Sequence, residues 1–169
     1  MNILAKQFPA LQILIPLAGA ILATLSFNRF FSWIIAIISM FFSLLLSVYA
    51  FQLTKVTSIF YAFGNWSAPI GIEYRLDNLN QPIIIFINAV LLFFLVFGEE
   101  LINATITNYI EEGKQHIFYS LLLFAHIGYL GVLSTSEATP MIFLIFMYLS
   151  RFRLYLLMYL CLKGGHPKH

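Results

Sequence analysis

Residues 33–53 read WIIAIISMFFSLLLSVYAFQL, an unbroken stretch without one charged side chain. A bilayer core about 30 Å thick is crossed by roughly 20 apolar residues coiled at about 1.5 Å per residue. In hydrocarbon every backbone N–H and C=O must find a partner within the protein, and a single run of this length does so by coiling. Three other runs have the same character: Leu11 to Phe27, Pro82 to Phe97, and Phe118 to Leu133. The expected fold is therefore all-α, a multi-pass transmembrane helical bundle, with about four helices in residues 1–139. Residues 140–169 form a separate apolar segment.

Composition points the same way. Of 169 residues, 61% are hydrophobic and only 9% are charged, whereas a soluble domain carries about 25% charged residues. So few charges cannot cover a water-facing surface, and the principal partner is the lipid bilayer. The net charge of +2 is small and its cations are scattered, which excludes a nucleic-acid partner. One cysteine, Cys161, permits neither an internal disulfide nor a thiolate metal cluster. No zinc-type His/Glu spacing, phosphate-binding glycine loop or serine–histidine arrangement is visible, and no cofactor is expected.

On the N-terminal side of residue 33, Asn28 and Arg29 mark a tight turn after the first run. Lys6 and the small Gly19, Ala20 and Ala23 resemble parts of a cleaved leader. The run nevertheless continues through Leu25 and Phe27, longer than a signal h-region, and reads as a span. Pro16 is placed to kink it. Ser39, Ser43 and Ser47 recur every four residues, a stripe that suits close helix packing or bonding to the helix's own backbone. Thr54 to Gln81 holds Gly64, Asn65, Pro69 and Gly71 and reads as an extramembrane loop, with a short extended piece near Ile70 to Tyr74. Pro82 is expected at the first position of the third helix, where its missing N–H costs nothing. In the connector from Glu99 to Gln115, apolar residues recur at helical spacing, which predicts a short interfacial helix.

The segment from Met141 to Leu162 carries Arg151 and Arg153 near its middle. Each central Arg costs about 2.5–3.5 kcal/mol to insert and each Leu, Ile or Phe returns about 0.3–0.6, so the two sides roughly cancel. Orientation is equally balanced. Lys6, Lys55 and Arg75 fall on one side, against Arg29 and Lys114 on the other, with Lys163 and Lys168 joining them if the tail returns there.

From Gly64 to Thr135 the chain resembles a known family. The residues are Gly64-Asn65-Trp66, Ala68-Pro69-Ile70-Gly71-Ile72, Arg75-Leu76-Asp77-Asn78-Leu79-Asn80, His116 to Leu122, and Gly128-Tyr129-Leu130-Gly131-Val132-Leu133-Ser134-Thr135. Their order and spacing are similar to the D-type membrane component of the multisubunit monovalent cation/proton antiporters, antiporter-like proteins related to the membrane-arm subunits of respiratory complex I. The likeness covers about four helices of a family fold that has about fourteen. It implies ion and proton transport in a bacterial cell (inner) membrane, with other antiporter subunits as partners. It also implies a fifth helix bearing a glutamate, which this chain lacks after Glu137. Codons chosen for Met141 to Cys161 and shifted by one step can encode DIFNIYVFIEISSLSTYVFMS, close to the family's fifth helix. The expectation is a subunit truncated or frameshifted after about residue 139 and not competent for transport alone.

The candidate proton or cation pathway residues are His126, Asp77 and Glu73. His126 sits inside the fourth run, and an ionisable group there suits proton exchange. A neutral histidine bonded to a neighbouring helix is the plainer reading. Asp77 and Glu73 precede the third run, where a solvated turn that caps the helix is the plainer account. Glu99, Glu100, Glu111 and Glu112 could gather cations or simply solvate the connector. Two rival classes stand beside transport. One is a small structural or assembly subunit of a respiratory or antiporter complex. The other is a membrane enzyme with its site in the long loop.

Overall fold

The computed structural model describes residues 3–55, 58–62 and 73–135. The expectations for Gly64 to Ile72 and for the segment after Thr135, including Glu137, Arg151 and Arg153, lie outside the described residues.

The described chain is helical apart from one small hairpin. Helices α1 (Ile3–Leu25), α2 (Arg29–Thr54), α3 (Asn80–Phe97) and α5 (Gln115–Ser134) are each long and apolar enough to cross a membrane. At about 1.5 Å per residue they are roughly 27–39 Å long, which matches a hydrocarbon core. The short helix α4 (Glu99–Tyr109) follows α3 directly. Strands β1 (Ile59–Ala62) and β2 (Glu73–Leu76) pair antiparallel, Ile59 opposite Leu76 and Ala62 opposite Glu73.

The helix ends differ from the sequence expectation. α1 begins at Ile3 rather than Leu11 and contains both Pro9 and Pro16. α2 begins at Arg29, because Asn28 adopts an extended backbone and its side chain accepts from Phe30 N. Phe27 turns the chain between them at φ 49°, a left-handed conformation that is uncommon for a residue with a Cβ. Pro82 is the third residue of α3, not the first, since α3 starts at Asn80. The position is still harmless to the helix, because the first-turn N–H groups have no intrahelical partner.

α1 packs against α2 and α5, and α2 packs against α3, whereas α3 meets α5 only sparsely. Close approach of α1 to α2 relies on small residues. A Cβ added at Gly19 would come within 2.6 Å of Ser39 Cβ, so only glycine fits there. Ala20, Ala23, Ala36 and Ser43 are fully buried nearby in sequence on the same two helices. On the other side of α1, Ser120 of α5 donates to Ala20 O at 2.9 Å and meets Thr24 Oγ1 at 2.6 Å. α4 is amphipathic as expected: Ile102 and Ile106, one turn apart, enter the main core while Leu101 is exposed. Trp33 of α2 fixes the adjoining corner by donating its indole N–H to Leu95 O.

Candidate functional site

The chain concentrates its polar structure at the end of the bundle where β1–β2, the start of α3 and the end of α5 meet. Asp77 is the organising residue. Its Oδ1 accepts from Leu79 N and Asn80 N, both at 2.9 Å, while its own N–H donates to Asn80 Oδ1 at 2.9 Å. This reciprocal turn satisfies donors that α3 leaves free at its N-terminus. Asp77 Oδ2 also pairs with Arg75 Nε at 3.3 Å, and the Arg75 guanidinium lies over the Phe60 ring. Asn80 Nδ2 then donates to Arg75 O and to Leu133 O, which ties the hairpin to the last turn of α5. A backbone bridge from Tyr74 to Thr135 adds a second tie. Burial pushes the Tyr74 phenol above its ordinary pKa. Between these elements lies a cleft of about 380 Å³ lined by Arg75, Asp77, Asn80 and Thr135 with Leu79, Ile83 and Leu133.

Glu73 stands at the far end of β2, half-buried and opposite Ala62. It lies four residues before Asp77 on the same strand and turn, and no bond joins the two carboxylates among the described residues. His126 is elsewhere. It lies on α5, nine residues before Thr135 and so about 13 Å further along the axis. It is 2% exposed, and its Nε2 has no hydrogen-bond partner among the described residues. It borders a second cleft, about 330 Å³, between α3 and α5. The other walls are Phe86, Ile87, Val90, Leu91, Phe94, Leu122, Ala125 and Tyr129, which are overwhelmingly apolar. The three sequence candidates thus fall at two levels, and the structure does not bring them together.

The acidic connector is similarly dispersed. Glu99 and Glu100 open α4, where a helix N-terminus favours negative charge. Glu111 is solvent-exposed and bonded to Lys114 Nζ at 2.7 Å, and that ammonium holds its carboxyl below the ordinary value. Among the described residues no group of three His, Cys, Asp or Glu side chains could hold a metal ion.

What the sequence reading missed is a file of uncharged polar groups between α1, α2 and α3. Gln81, on the first turn of α3, accepts from Gln12 Nε2 at 3.2 Å. Gln12 Nε2 also approaches Ser47 Oγ at 3.4 Å. Ser47 Oγ accepts from Asn88 Nδ2 at 2.6 Å and donates to Ser43 O at 2.8 Å. Ser43 Oγ donates to Asn88 Oδ1 at 3.4 Å. All five side chains are at most 2% exposed. From Gln81 to Asn88 the file descends about 10 Å along α3. The serine stripe therefore answers both readings at once: Ser39 donates across to Ile15 O of α1, Ser43 reaches α3, and Ser47 bonds its own helix while receiving Asn88. The signal for the rest was available. Gln12 and Asn88 are carboxamides set inside apolar runs, where polar side chains act as interhelical bonds.

No protein-family profile matches this chain, and no curated protein sequence does.

Proposed function

We propose that this chain is a multi-pass membrane component of an antiporter-like ion-transport assembly, corresponding to the first helices of such a subunit. One observation carries the reading. Two of the sequence segments that resemble the antiporter family, Arg75 to Asn80 and Gly128 to Thr135, meet at one end of the bundle through Asn80 and Leu133. Segments that belong to one motif set are expected to share a structural junction. The four long apolar helices suit residence in a bilayer, and the fit to a bacterial cell membrane rests on the resemblance alone.

By itself the chain is not expected to move ions. Coupled proton movement needs ionisable groups or water linked from one side to the other. Here His126 is about 13 Å along α5 from the Asp77 junction, and the cleft beside it is apolar. Vesicles containing only this chain should show no sodium- or potassium-dependent proton flux above empty vesicles. Robust flux that saturates with cation would overturn this account.

The runner-up is a small structural or assembly subunit, and the thin packing of α3 favours it. Only 22% of the α3 span is buried within the chain, against 56% of α5. Stable co-purification with a large membrane complex that lacks antiporter subunits would favour that reading over the first.

A further inference from the structure

The upper end of the polar file leaves two atoms unanswered. Gln12 Oε1 and Gln81 Nε2 are shut off from bulk solvent and have no hydrogen-bond partner among the described residues. One is an acceptor and the other a donor, and they belong to two carboxamides already bonded to each other through Gln12 Nε2 and Gln81 Oε1. Turning both amides over exchanges the roles but still leaves one donor and one acceptor. Leaving each unpaired would carry the full desolvation penalty of that group.

We propose that Gln12 and Gln81 form an internal water-binding site at the hairpin end of the file. The choice of ligand follows from the unmatched pair. A cation takes only acceptors, and the Gln81 N–H would point at it. An anion takes only donors, and the Gln12 oxygen would repel it. Water donates to one and accepts from the other, and buried waters usually occupy sites with about three such partners. Below this point the file closes on itself, because both Asn88 and Ser43 are engaged with protein groups. The proposed water therefore sits above Asn88, between the two glutamine amides. The site stands whether or not the chain belongs to a transport assembly.

The test uses the full wild-type chain in bilayers with ¹⁵N-labelled glutamine and asparagine side chains. Water-edited solid-state NMR reads which side-chain amides receive magnetisation from water, with signals assigned through the backbone. The Gln12 and Gln81 amides should receive it several-fold faster than the Asn88 amide. Equal, slow transfer at all three would overturn the site. Titrating sodium or potassium chloride should leave the Gln12 and Gln81 signals in place. A saturable shift would overturn water as the ligand and make the site a cation site.

Discussion

At the scale of single residues, the bundle is held by places where size or polarity leaves one acceptable choice. Gly19 is one, because a methyl group there would strike Ser39. Gly19→Ala should destabilise the chain by about 1–3 kcal/mol, the usual cost of overpacking a tight contact. Unfolding followed by circular dichroism in detergent checks this, and unchanged stability would mean α1 and α2 are not in this register. Asn88 is another, since its amide spans to Ser43 and Ser47 on α2. Asn88→Ala should cost about 0.5–2 kcal/mol, the range for interhelical hydrogen bonds in membranes. Asn88 was open to discovery in the sequence, as a carboxamide within an apolar run. Its partners were not, because they lie more than forty positions away and depend on how α2 and α3 face each other.

At the scale of elements, α3 and the hairpin set each other's position. Asp77 caps α3 and Asn80 staples it to α5, so the Asp77 carboxylate is fully occupied with structure. Asp77→Ala should lower stability by about 1 kcal/mol, as for loss of an N-cap side chain. Asp77→Asn, which keeps an oxygen for Leu79 N and Asn80 N, should retain most of it in the same unfolding experiment. The hairpin also carries a pH dependence. Tyr74 is buried, and its phenol titrates above the ordinary value. Below about pH 10 the phenol is neutral in both folded and unfolded chains and favours neither. As pH rises past that point the unfolded chain ionises first, so stability falls. Tyr74→Phe should therefore blunt the loss of stability seen between roughly pH 10 and 11, where an unfolded tyrosine titrates. An identical alkaline loss in both proteins would remove Tyr74 as its source. The extended piece expected near Ile70 to Tyr74 is realised in its described part by β2, but β1 was not foreseen. A four-residue strand, IFYA, has no pattern of its own and exists through its pairing.

At the scale of the whole molecule, the bundle is layered by what each surface touches. The α1–α5 and α1–α2 contacts are dense with small and hydroxyl-bearing residues. The outer face of α3 instead presents Phe86, Phe93 and Phe97, each more than half exposed. Such a face is unsustainable in water at this extent and natural in hydrocarbon. The chain should consequently remain with membranes after carbonate washing, and recovery as a folded monomer in detergent-free buffer would refute the membrane reading. His126 belongs to this scale as well. It is buried on α5 at the edge of the apolar cleft facing α3, and its distance from Asp77 separates two candidates that the sequence reading set side by side.

The helices followed from the amino-acid order alone, since length, apolarity and the need to pair backbone groups in hydrocarbon are properties of each run taken singly. The Asp77 turn was legible for a similar reason, because a side chain that caps a helix acts within three residues. The partners within the polar file, the hairpin pairing and the isolation of His126 were settled by tertiary packing. Those depend on which faces of distant helices meet, and a face acquires its partner only when the chain has packed.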